Sequence, residues 1–279
     1  MNRIFNLTPI PSLTARACSA LCLALGAYVA QAHEIVLEPQ RDGIAVRYGH
    51  PQDWQPVAEG KLVDLQMLRG DGDVQDMRAL LVPRAPSMDM LLPTSVMASK
   101  SAPAARQAVL LAARYDNGLW ARLPAVDGAQ AVARNTTRVM LPEATSVSNN
   151  LKFAKGLLPA ADDTATYKRT VGHLLELVPQ RNPATLKPGE PLDVLVLFKG
   201  QPLADVGIDV SNLRDMVVEG KETFFRTDSA GIARVTLLPR GVNTLGAKVE
   251  RDNDGSLGDA SRAVGADKFV MEATYTFVR

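Results

Sequence analysis

Apolar residues in this chain recur with a period of two, in short runs separated by Gly, Pro, Asn and Asp. That pattern constrains the fold more than any other feature, because alternation lines one face of a β-strand and cannot line one face of a helix. Ile35 and Leu37 share one face of an extended His33–Glu38 segment, with Glu34, Val36 and Glu38 on the other. Gln40-Arg41-Asp42-Gly43 makes a turn, and Ile44, Val46 and Tyr48 share a face in the next run. The two runs predict an antiparallel hairpin ending at Gly49-His50-Pro51. Such a pairing returns the end of the second strand to the start of the first, which brings His50 toward His33.

Further strands are expected at 61–68, 77–82, 108–115 and 119–123, with Asn117-Gly118 as the tightest hairpin signal. Residues 83–104, rich in Pro, Ser and Met, read as a long loop. Ser148-Asn149-Asn150 reads as the cap of a short helix over 151–158, stopped by Pro159. Residues 160–165 are small and polar and read as a linker. Beyond it, strands are expected at 173–178, 192–198, 206–210, 222–226, 233–237, 244–250 and 269–277. The expected fold class is all-β: two Ig-like β-sandwich domains, residues 33–165 and 166–279, with the short helix near their joint. No βαβ alternation or glycine-rich phosphate loop occurs, which disfavours nucleotide-binding folds.

Residues 1–32 have a different character. Arg3 and Arg16 are basic, no acidic residue is present, and an apolar run over 17–30 leads to Ala30-Gln31-Ala32. These are the parts of a secretory signal with cleavage after Ala32. The run is shorter than the roughly 20 residues a membrane helix needs. The expected mature protein is exported to the periplasm and is not membrane-embedded. Both cysteines, Cys18 and Cys22, fall in the leader. The mature chain therefore has no disulfide, thiolate ligand or Cys nucleophile. Its charge, +1 overall and near −1 without Arg3 and Arg16, supplies no field for nucleic acid.

Cleavage after Ala32 makes His33 the first residue. A free α-amine and the imidazole Nδ1 of the same residue can close a chelate ring on a metal ion, and one further imidazole completes a histidine brace. The only other histidines are His50 and His173, so the predicted ligand set is His33, His50 and His173. All-nitrogen, roughly planar coordination suits Cu(II) or Ni(II). Zinc, with a carboxylate from Glu34, Asp53 or Glu176, is a further option without zinc-site spacing. Met88, Met90 and Met97 offer soft thioethers for Cu(I), or flexible gap-filling. Trp54 reads as an anchor for the loop after His50. The run Asp252-Asn253-Asp254-Gly255 lacks the later glycine and glutamate of a calcium loop and reads as a solvated turn. No serine elbow or thiol marks a catalytic centre, and the protein reads as a binding protein.

Two resemblances add to this reading. Lys199-Gly200-Gln201-Pro202-Leu203-Ala204-Asp205-Val206, followed by Thr227-Asp228-Ser229-Ala230-Gly231-Ile232-Ala233, resembles carboxypeptidase-regulatory-like and prealbumin-like sandwiches. The mature start His33-Glu34-Ile35-Val36-Leu37-Glu38-Pro39, with Leu175-Glu176-Leu177-Val178-Pro179 and Asn182-Pro183, is similar to a family of exported bacterial proteins of unknown function labelled as periplasmic nickel-uptake components. The second resemblance implies two β-rich domains and a link to transition-metal acquisition. With the cleavage position and the three histidines, it leads to the expectation of a protein that binds Ni(II) or Cu(II) and delivers it to a membrane transporter component. A non-metal envelope interaction module and a copper-dependent oxidase are the competing expectations.

Overall fold

The predicted hairpin is present. In the computed structural model, strand β1 (Glu34–Gln40) pairs antiparallel with β2 (Gly43–His50), with Glu34 opposite Gly49 and Gln40 opposite Gly43. The structure describes residues 33–51, 53–70, 72–85, 89–97, 108–125, 131–158, 163–187, 189–212, 224–238, 241–257 and 265–279. The expected leader lies outside them, as do Met88 and residues 160–162 of the expected linker. Among the described residues no helix is long and apolar enough to cross a membrane.

The remaining strands are β3 (Asp53–Gln55), β4 (Leu62–Arg69), β5 (Val74–Asp76), β6 (Val82–Arg84), β7 (Asp89–Pro93), β8 (Val109–Arg122), β9 (Val132–Arg134), β10 (Ser146–Leu158), β11 (Leu175–Pro179), β12 (Pro191–Phe198), β13 (Gln201–Pro202), β14 (Gly207–Asn212), β15 (Phe224–Arg226), β16 (Ile232–Thr236), β17 (Val242–Asp252) and β18 (Lys268–Val278). They form three sheets. The first runs β1-β2-β7-β6, with β3 added to β2. The central nine-stranded sheet runs β15-β14-β17-β18-β10-β8-β4-β5, with β9 added to β8. The third runs β11-β12-β13, with β16 added to β12. The chain is an all-β, sandwich-like protein. Strands from both sides of residue 165 share the central sheet, where β10 and β18 pair in parallel. Residues His33–Arg279 form one compact unit.

Alternation explains the layering. On β8, Val109, Leu111, Ala113 and Tyr115 enter a core shared with the first sheet. Leu110 and Ala112 enter a second core, shared with the third sheet. On β10, Ala154 joins the first core and Phe153 and Leu157 the second. On β18, Phe269, Met271, Ala273, Tyr275 and Phe277 all belong to the second. A sheet covered on both sides needs apolar residues in both phases, and β8 carries them.

Three expectations are corrected. Residues 151–158 are not a helix but the second half of β10. The alternating faces just described override the capping signal, and two strands flank the segment. Asp116-Asn117-Gly118 is not a hairpin turn. It is a bulge inside the continuous strand β8, where the pairing with β10 shifts at Asn150/Leu151. The stretch after Pro83 is not all loop. It contains β7 and the helical turn Thr94–Met97, and Met90 and Met97 are buried in the first core, where they act as packing residues rather than exposed thioethers.

The first sheet approaches the central one closely along β1. A Cβ on Gly156 of β10 would stand 2.6 Å from Leu37 Cβ and 2.7 Å from the Leu37 carbonyl oxygen. Gly156→Ala should therefore destabilise the protein by about 1–3 kcal/mol through overpacking. Gly60→Ala, whose Cβ would meet nothing within 4 Å, should stay within about 0.5 kcal/mol. Urea unfolding of the two variants checks both values.

Candidate metal centre at the start of the first strand

The hairpin register puts His33, one residue before β1, beside His50, the last residue of β2. Their ring centroids are 5.1 Å apart with planes at 63°. Gly49 lets the chain double back. It adopts φ +123°, and a Cβ there would meet the Asp53 carbonyl oxygen at 2.4 Å. The turn brings β3 alongside β2 with Asp53 opposite His50. Asp53 Oδ2 then lies 3.6 Å from His33 Nε2, and its Oδ1 accepts a 2.6 Å hydrogen bond from Gln55 Nε2. The His33 side chain is 21% exposed, so the pair sits at a surface and not in the core. Burial and the neighbouring His50 hold the His33 ring below the ordinary histidine pKa, against the opposing pull of Asp53. The ring is consequently neutral at pH 7, the form that binds metal.

Aromatic and polar side chains support the pair from below. The Tyr48 ring stands edge-on to His33 at 5.4 Å and stacks on Tyr115 at 5.0 Å. Tyr48 Oη donates to Asn117 Oδ1 at 3.1 Å. Lys61 Nζ donates to Asn117 O at 3.2 Å and to its Oδ1 at 3.3 Å. Trp120 Nε1 also donates to Asn117 O, at 3.2 Å. Asn117, buried in the β8 bulge, thus ties the floor of the histidine pair to the central sheet. Sequence reading missed this role because it took Asn117-Gly118 as an exposed turn. Trp54 packs against the Arg47 guanidinium, 5.2 Å from the ring centroid, consistent with an anchor.

His173 is not brought to the pair. It is 5% exposed and packs on Phe153 with centroids 5.1 Å apart, on the second-core side of the central sheet. Burial, then Lys155 and Arg114, push its pKa down to about 3. Glu176 is engaged in the same region: it pairs with Lys155 at 2.5 Å and accepts from the backbone N–H groups of Val171 and Gly172. Glu34 lies next to His33 but faces Glu272 and Lys152. Burial, then the Glu272 charge, push its pKa up to about 7. Among the described residues no group of three or more His, Cys, Asp or Glu side chains is arranged to hold a metal ion. Two imidazoles, those of His33 and His50, converge.

These features define an all-β protein with a histidine pair at the edge of its first sheet. The chain belongs to the family described as Domain of unknown function DUF4198, whose model matches residues 30–251. It is similar to an uncharacterized protein of Haemophilus influenzae, with 27% identity over 239 residues, 82% of this chain and 86% of the relative. No solved structure matches the chain.

Two pH effects follow from the buried groups. The His173 pKa is lower in the folded state than the ordinary 6.5. Its contribution to stability is therefore complete above pH 6.5 and is lost as pH falls toward 3. Between pH 6.5 and pH 5 the loss should be about 2 kcal/mol. His173→Phe should remove that part of the acid sensitivity, read by urea unfolding at the two pH values. Glu34 has the opposite sign. Its folded pKa is raised, so its contribution is full below pH 4.5 and is lost as pH rises through 7. Glu34 keeps some accessible surface, which discounts the effect. Glu34→Gln should match the wild type at pH 4 and exceed its stability by about 1–2 kcal/mol at pH 8, seen as a higher thermal midpoint at pH 8 alone.

Proposed function

We propose that this protein binds Ni(II) or Cu(II) in the periplasm and delivers it to a membrane uptake system. The ligands are the His33 α-amine, freed by cleavage after Ala32, the His33 ring and the His50 ring. The convergence of His33 and His50 at 5.1 Å carries the reading. It reduces the predicted three-histidine set to a brace of two histidines and one amine. Nitrogen donors of this kind suit late first-row divalent ions, with copper favoured on intrinsic affinity.

The surrounding groups support the same chemistry. A carboxylate beside one imidazole nitrogen orients the ring and leaves the other nitrogen for the metal. Asp53 stands in that position at His33 Nε2, and the chelate with the amine needs Nδ1. The lowered pKa of the His33 ring means that little proton competition occurs there at neutral pH. The amine, with an ordinary pKa of about 7.7–8.0, is the group whose proton the metal displaces. Affinity should therefore rise with pH up to about 8. His173, buried on the other side of the central sheet, takes no part.

Calorimetric titration with Cu(II) and Ni(II) tests the proposal. Protein starting at His33 should bind one ion with micromolar or tighter affinity. One glycine added before His33, or His50→Ala, should weaken binding by roughly 100-fold. His173→Phe should bind as the wild type does. Unchanged affinity in the glycine-extended protein would rule out the brace.

A further inference from the structure

The second-core side of the central sheet holds a cavity of about 630 Å³, within the size range of small-molecule sites, roughly 300–1,000 Å³. Leu151 and Phe153 of β10 line it, Leu174 enters from the segment before β11, and Leu257 from the turn after β17. Apolar residues thus supply most of the wall. Tyr115, Asp116 and Lys152 also border it, and two further polar residues, Arg114 and Asn149, sit at opposite ends.

Arg114 lies opposite Phe153 in the β8–β10 register and lines the cavity. Among the described residues no carboxylate stands within ion-pair distance of its guanidinium. Asn149 is 5% exposed, lines the same cavity, and makes no side-chain hydrogen bond to another described residue. Its amide borders a space that a ligand can occupy. Asn149 and Phe153 are four residues apart on one strand and on one face, about 13 Å at 3.3 Å per residue. Leu151 lies between them. The site therefore presents a cation, an apolar floor and a neutral hydrogen-bonding group in line. Asp116, on the same side of β8 as Arg114, lines the cavity too. Its Oδ1 accepts from the Gly118 N–H at 2.9 Å, and its charge opposes a second negative charge on the ligand.

We infer that this cavity binds an elongated organic monocarboxylate, its carboxylate on Arg114, its apolar body along Leu151 and Phe153, and a hydroxyl or carbonyl at its far end on Asn149. Guanidinium pairs with carboxylate by charge-assisted hydrogen bonds. The site is separate from the histidine pair, so this inference stands whether or not the protein binds a metal.

Octanoate, its neutral isostere octanamide and 8-hydroxyoctanoate are the probes, with affinities measured by calorimetry. The wild type should prefer octanoate to octanamide, and 8-hydroxyoctanoate to octanoate. Arg114→Met should weaken octanoate about tenfold, which is about 1.4 kcal/mol, and leave octanamide unchanged. Asn149→Leu should erase the preference for the hydroxylated acid. Leu151→Trp should block all three probes by filling the space. Arg114 is exposed on β8, so its replacement is compatible with folding, and thermal unfolding verifies this for each variant. Absence of octanoate binding at low-millimolar concentration, equal affinity for octanoate and octanamide, or an Arg114→Met variant that binds octanoate as the wild type does would each overturn the assignment.

Discussion

The seating of β1 on the central sheet is the contact on which the arrangement of the first sheet depends. Ile35 and Leu37 contribute apolar burial, and the missing side chain at Gly156 lets the backbones approach. Thr274 Oγ1 of β18 donates to the Ile35 carbonyl oxygen at 2.7 Å. That carbonyl is on a strand with β2 on one side only, so the bond satisfies a group that the sheet alone leaves open. A slip of β1 by one residue would turn Glu34 and Glu38 to the face that Ile35 and Leu37 fill and lose this bond. The same register decides whether His33 meets His50. The position of a surface histidine pair is thus determined by packing inside the protein.

Strand β10 connects this contact to the opposite side of the molecule. Lys152 and Lys155 are three residues apart, so they leave the strand on opposite faces. Lys152 pairs with Glu272 beneath Glu34. Lys155 pairs with Glu176 and donates to the carbonyls of Arg169 and Leu177. Each pair is nearly dry, and neither is strong support for stability by itself, because desolvation offsets the Coulomb attraction. Their geometric effect is clearer. One holds the entry of the first sheet, the other the segment that leads into the third. Burial outweighs the Glu176 charge and lowers the Lys155 pKa. His173, beside this lysine, stays neutral for the same reasons. A chain with few histidines can thus place one where it is a packing residue and two where they face water.

The alternation of the sequence was enough to recover β1, β2, β4, β12, β14, β16, β17 and β18 to within a few residues, and through them the proximity of His33 and His50. It failed where local signals and tertiary pairing disagree. Asn117-Gly118 has the composition of a tight turn, but Tyr48, Lys61 and Trp120 hold Asn117 in a buried bulge, and Tyr48 and Lys61 are distant in sequence. Ser148-Asn149-Asn150 has the composition of a helix cap, but β8 and β18 supply strand partners on both sides. The placement of His173 was hidden for a related reason. Its neighbours Phe153 and Lys155 come from a segment read as a helix, so nothing in the linear pattern placed it on the far side of a shared sheet.

Under the proposed reading, export itself creates a ligand. While His33 is linked to Ala32 its nitrogen is an amide, which carries no lone pair available for ordinary coordination, and only two imidazoles remain. Two such donors on an exposed edge bind a divalent ion weakly compared with a chelating brace. Removal of the leader adds the third nitrogen at the one residue whose ring already faces His50. The affinity change is then a property of chain cleavage and needs no rearrangement of the fold, because β1, β2 and the Asn117 anchor hold both rings in place beforehand. Preorganisation of this kind directs the cost of ordering the ligands to folding rather than to binding. It also explains in physical terms why a histidine pair of this type belongs at the first residue of the first strand and not at an interior hairpin, where no amine could ever be freed.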